Sequence, residues 1–121
     1  MANRIAFVTG AMGGLGTAIC QSFAKDGYKV VAAYHPELDK KDAWVAEMEA
    51  AGFKDMLCVA GDITDIDSCA KMVAEGEALA GGPIDILVNN AGITRDRMFG
   101  KMDKGQWDAV MSTNLTSLFN M

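Results

Sequence analysis

The 121 residues predict an α/β fold, a doubly wound parallel sheet with helices on both faces. Three observations carry this expectation. Short apolar runs rich in strand formers alternate with stretches of helix length, which implies parallel strands joined by right-handed crossovers. The runs are apolar almost without a break, as strands covered on both faces are. A glycine cluster separates the first strand from the first helix, where such sheets bind ligands. The order is β-α-β-α-β-α-β-α, with no internal repeat and no low-complexity linker.

The first strand is "RIAFVT", residues 4–9. After the glycines, Leu15, Ile19 and Phe23 recur at i, i+4 and i+8, the stripe of an amphipathic helix. That helix stops at "KDG", with Gly27 as its breaker. "YKVVAAY", residues 28–34, is the second strand. "ELDKKDAWVAEMEAAG" is a charged helix ending at Gly52, with Trp44, Val45, Met48 and Ala51 on its apolar side. "DMLCVAG" is the third strand. "DITDIDSCAKMVAEGEALAGG" is the third helix, N-capped by Thr64 or Asp65, with Met72, Val73 and Leu79 on or near its inner face. "PIDILVNNAG" is a fourth strand entering a loop. "MDKGQWDAVMSTNLTSLFNM" is a fourth helix, where Asp103 and Gln106 have the spacing of a capping box.

Composition narrows the function classes. Half the residues are hydrophobic and 22% are charged, an ordinary globular balance. The net charge is −5, with both signs mixed along the chain, so no basic stripe exists to bind nucleic acid. No apolar run approaches the roughly 20 residues that span a bilayer. The amino terminus lacks the features of a signal peptide. Cys20, Cys58 and Cys69 are an odd count without CxxC spacing, and His35 is the only histidine. These features argue against a disulfide framework or a metal site and suit a cytoplasmic protein.

The glycines lie in "VTGAMGGLGTAICQ", between strand and helix, the context of a phosphate-binding turn. The first turn of a helix offers unpaired N–H groups and partial positive charge, provided that no side chain blocks the approach. Gly10 permits a tight turn out of the strand, Gly14 lets a pyrophosphate approach, and Gly16 lets the helix pack closely on the sheet. The alternative is a glycine-rich turn with no ligand. In this fold, an acid at the end of the second strand holds the adenosine ribose of NAD. That position falls near Tyr34, which is not acidic, so the 2′-phosphate of NADP is not repelled there. His35, Lys40 and Lys41 follow and offset its charge.

"TGAMGGLG", "GDITD", "NNAG" and "TNLTS" occur in that order on successive βα units. Together they resemble the short-chain dehydrogenase/reductase family, over all 121 residues. Within it, "MGGLGTAICQ", "AKDGYKVV", "NNAGITRD" and "WDAVMSTNLTSLFN" are most similar to the acetoacetyl-CoA reductases of polyhydroxyalkanoate synthesis. Bacterial 3-oxoacyl-ACP reductases come next. The resemblance implies a Rossmann-type domain, NADP(H) as cofactor, an acyl-CoA thioester substrate and a homotetramer for the full-length protein. It implies cofactor contacts from Gly10, Met12, Gly13, Gly14, Leu15 and Gly16. Many family members that use NADP carry Arg where this chain has Gly13. The resemblance instead points to Lys40, with His35 nearby, for the 2′-phosphate. It implies that Asp62 accepts from the adenine amino group and Ile63 lines the ring. Asn90, Ala91, Gly92, Ile93 and Thr94 form the wall toward the nicotinamide. Asp96 and Lys101 serve the substrate, with an ordinary polar loop as the alternative reading.

Asn114 matches the Asn of the family's catalytic tetrad of Asn, Ser, Tyr and Lys, where it binds a proton-relaying water. Neither Tyr28 nor Tyr34 has a Lys four residues on. The resemblance therefore implies that residues 1–121 are the amino-terminal, cofactor-binding part of one domain, cut in the fourth helix. Two readings follow. In one, the parent protein is an NADP-dependent reductase, and the 121 residues alone are inactive. In the other, the chain is a non-catalytic dinucleotide-binding module.

Overall fold

Burial follows the sequence most closely in the two central strands. In a computed structural model describing residues 4–38 and 40–91, β1 (Ile5–Thr9) is buried along its whole length. β2 (Lys29–Tyr34) is buried from Val30 to Ala33. β3 (Leu57–Ala60) and β4 (Ile86–Val88) are shorter and flank them in the order β3-β2-β1-β4. Every pairing is parallel: Phe7 lies opposite Val31 and Leu87, and Ala33 opposite Val59. The expected doubly wound sheet is thus present. The fourth helix read from the sequence lies outside the described residues.

Two cores follow from the two-residue period of the strands. Phe7, Val31, Ala33 and Val59 face α3 (Ile66–Ala80) and meet Met72 and Ala80. Val8, Val30 and Ala32 face the other way, among Cys20 of α1 (Gly14–Lys25) and Trp44 and Met48 of α2 (Lys41–Ala50). Phe7, with no exposed surface, contributes about 1.5–3 kcal/mol of transfer free energy. The second core also carries polar ties. Trp44 Nε1 donates to Thr17 Oγ1 at 2.9 Å, and that hydroxyl donates to the carbonyl oxygen of Ala11 at 3.3 Å. A buried indole thus finds its hydrogen-bond partner on α1.

Three expected inward residues face outward. Leu15 is 69% exposed and Leu79 is 55% exposed, and Ala51 lies exposed beyond the end of α2. The inner stripe of α1 centres on Gly16 and Cys20, and that of α3 on Cys69, Met72, Gly76 and Ala80. Small residues decide both rotations. A Cβ on Gly76 would sit 3.0 Å from Val31 Cγ1 and 3.1 Å from Phe7, so α3 lies very close to the sheet there. Leu79 and Leu15 each stand one residue from the stripe, about 100° around the helix.

Element boundaries also moved. Residues expected at the start of the second helix instead form a turn, closed by Leu38 N–H donating to the His35 carbonyl at 2.9 Å. α3 is capped by Asp65, whose carboxylate accepts from the N–H groups of Asp67 and Ser68. Among the described residues, no helix is long and apolar enough to cross a membrane.

Candidate functional site

The carboxyl ends of all four strands open on a cavity of about 790 Å³. β1 ends at Thr9, and Gly10 turns the chain with φ +61, a backbone conformation that side chains disfavour. Gly13 is the N-cap of α1 and offers no side-chain cap, so the helix begins with free backbone donors. Nothing lies within 4 Å of where a Cβ on Gly14 would stand, so bare backbone faces the open space. At Gly16, a Cβ would run into the Gly10 carbonyl oxygen and stand 2.8 Å from Ala11 Cα. The close packing expected of Gly16 is therefore against its own loop, more than against the sheet.

β4 is held against this loop. Thr9 Oγ1 accepts from the N–H groups of Asn90 and Ala91 at 3.1 and 3.0 Å, and donates to the Val88 carbonyl at 3.3 Å. Asn90 Nδ2 donates to the Gly10 carbonyl at 3.1 Å. Ala91 lies so near Gly10 that a Cβ there would stand 2.8 Å from Ala91 Cα. A loop without side chains, an uncapped helix start and a second strand end clasped beside it form a cradle suited to a pyrophosphate.

Of the residues expected at a cofactor, Gly10, Met12, Gly13, Gly14, Leu15, Gly16, His35, Ile63, Asn90 and Ala91 line the cavity. Leu15 reaches it because it faces away from the core. Lys40 and Asp62 are outside the lining. Lys40 is exposed and stands at the N-terminus of α2, where its carbonyl accepts from Trp44 N–H. Asp62 is engaged locally. Its Oδ1 accepts from the Thr64 hydroxyl at 2.6 Å and from Thr64 N–H at 2.9 Å. These two bonds, with a smaller contribution from the nearby His35, hold the Asp62 carboxyl below the ordinary aspartate range against the opposing effect of burial. Gly92, Ile93, Thr94, Asp96, Lys101 and Asn114 lie outside the described residues.

Tyr34, placed at the ribose position, lines the cavity, while sequence reasoning missed Thr9, Ala33, Glu37, Leu38, Gly61 and Met72. Gly61 carried a readable signal, since it directly follows the third strand. Glu37 carried none, because its place depends on the turn at residues 35–38. Among the described residues, no group of three or more His, Cys, Asp and Glu side chains is arranged to hold a metal ion.

The sequence pattern of the family described as short chain dehydrogenase matches residues 4–121. The chain belongs to this family. It is 60% identical over its full length to nodulation protein G of Azospirillum brasilense, and 50% identical to an acetoacetyl-CoA reductase of Cupriavidus necator. It spans 48% of each of those proteins, about half the length of the curated relatives it matches. Among solved structures, a 3-ketoacyl-(acyl-carrier-protein) reductase from Brucella melitensis complexed with NADH superposes with a TM-score of 0.81 at 28% identity. That match covers 98% of this chain and 47% of the other. The family, with a solved relative that carries NADH, supports a nicotinamide dinucleotide as the cofactor.

Proposed function

We propose that the protein carrying this chain reduces a 3-oxoacyl thioester, acetoacetyl-CoA, to the 3-hydroxyacyl thioester with NADPH, in polyhydroxyalkanoate synthesis. The observation that carries this reading is the 50% identity, along the whole chain, to an acetoacetyl-CoA reductase. Five further relatives bearing that name share 40–49% identity over at least 98% of the chain. A second reading, reduction of 3-oxoacyl-ACP, is supported by a Staphylococcus aureus reductase of that class at 39% identity.

In this reading, residues 1–121 are the cofactor-binding part of a single domain. A bound nicotinamide dinucleotide supplies the hydride. The N–H groups at the start of α1 would hold the pyrophosphate, and the missing Cβ of Gly14 leaves the approach open. Thr9 and Asn90 keep the end of β4 beside the loop, so the wall of the cleft is preorganised. Ile63 and Met72 offer apolar surface to the adenine. Asn114 is proposed as the proton-relay member of the tetrad, and Asp96 and Lys101 as substrate contacts, all three on family resemblance. NADP(H) is supported by the absence of an acid at Tyr34 and His35. The working protein is proposed to be a cytoplasmic homotetramer.

The test is a steady-state assay of the full-length protein, following NADPH oxidation with acetoacetyl-CoA and with acetoacetyl-ACP. A higher kcat/KM for the CoA thioester supports the reading, and the reverse order supports the second one. Turnover of neither overturns both.

A further inference from the structure

The described lining of the cavity contains one carboxylate, Glu37, and no lysine or arginine. Glu37 sits in the turn that follows β2, the region that meets the adenosine ribose in this class of sheet. The turn is pinned twice: Leu38 N–H donates to the His35 carbonyl, and Glu37 N–H donates to His35 Nδ1 at 3.1 Å. In that geometry Nδ1 accepts the Glu37 N–H and is not free to donate to a phosphate. A second carboxylate, Asp62, lies near His35. Lys40 is outside the lining, and Lys41, like Lys40, is exposed.

We infer that Glu37 sets the dinucleotide preference of this site: it favours a free ribose 2′-hydroxyl, opposes the 2′-phosphate, and makes the protein accept NADH alongside NADPH. The inference rests on the dinucleotide reading above and refines it. A carboxylate accepts hydrogen bonds from both hydroxyls of an unmodified ribose. The same carboxylate repels a phosphate that carries nearly two negative charges. Lys40 and Lys41 are exposed and outside the lining, so their attraction for that phosphate is screened by solvent. The acid that sets this balance is thus displaced from the strand end into the turn, three residues beyond Tyr34.

The experiment is calorimetric titration of the full-length protein with NADPH, NADH, 2′,5′-ADP and ADP, in the wild type and in Glu37→Gln. The two ADP fragments read the ribose end independently of any activity. Glu37 is exposed in a turn, so the neutral isostere leaves the core untouched. The wild type is expected to bind NADH and NADPH within about tenfold of one another. Glu37→Gln is expected to tighten NADPH and 2′,5′-ADP by about three- to tenfold, the scale of removing one like charge at a partly solvated site. NADH and ADP should weaken or stay the same. An unchanged NADPH/NADH ratio in the variant overturns the inference while leaving the dinucleotide site intact. So does a wild type that favours NADPH by more than about a hundredfold, which is over 2.7 kcal/mol. A protein that binds none of the four ligands overturns the dinucleotide reading and this inference with it.

Discussion

Thr9 and Asn90, 81 residues apart in sequence, are joined by a 3.1 Å hydrogen bond from the Asn90 N–H to the Thr9 hydroxyl. The same oxygen takes the Ala91 N–H, so one buried side chain terminates β1 and β4 together. Thr9→Val keeps the shape and removes the acceptor. The Ala91 N–H then loses its acceptor, while the Asn90 N–H keeps the Val88 carbonyl at 3.1 Å, at a cost of about 1–3 kcal/mol. Urea unfolding should show that loss, with Thr9→Ser retaining most of the stability. A Val variant as stable as the wild type would mean that the clasp contributes nothing.

Gly14 and Gly16 separate ligand binding from folding. Gly14→Ala meets no protein atom within 4 Å, so thermal stability should hold or rise slightly, by up to about 1 kcal/mol. Its methyl group occupies the approach of the pyrophosphate, and dinucleotide affinity should drop by at least about tenfold. Gly16→Ala collides with Gly10 and Ala11 backbone and should lower stability by about 1–3 kcal/mol. Equal stability losses in the two variants would contradict the geometry.

Asp62 links the site to pH. Its folded-state pKa is lowered, chiefly by the two bonds from Thr64, so its contribution is fully present above the unfolded value of about 4. The contribution is lost as pH falls through the lowered folded value. The carboxylate is largely solvated, so the effect is below about 1 kcal/mol. Carboxyl-carbon NMR should find Asp62 titrating below the exposed aspartates. A midpoint at or above theirs would refute the assignment.

Cys20 is fully buried, and burial, followed by its neighbour Cys58, pushes its thiol up to about 12. Burial raises Cys58 and Cys69 as well. Alkylation at pH 8, read by peptide mass spectrometry, should modify Cys20 only as fast as the protein unfolds. Because the folded thiol resists ionisation, stability should fall as pH rises from the ordinary thiol value of 9.0 toward 12. Rapid labelling of Cys20 in the native protein would exclude this burial.

The alternation of apolar runs and helix-length segments determined the sheet and its winding, because period and strand composition are local properties. The glycine spacing located the turn and the open start of α1 for the same reason: positive φ at Gly10 and bare backbone at Gly14 are requirements on single residues. Helix rotation was not local. Leu15 and Leu79 look like core residues beside Ile19 and Val73, yet Gly76 takes an inner position where a side chain would crowd Val31 and Phe7, and Gly16 one where it would meet the Gly10–Ala11 backbone. The charges around the ribose end were not local either. Lys40 and Glu37 are three residues apart, but the turn at His35–Leu38 brings only the acid to the cavity, while the lysine stands exposed at the head of α2. Sequence thus determined which residue types met at the strand ends. The tertiary structure decided which of them face the cavity, because that depends on how closely each helix packs and where each turn closes.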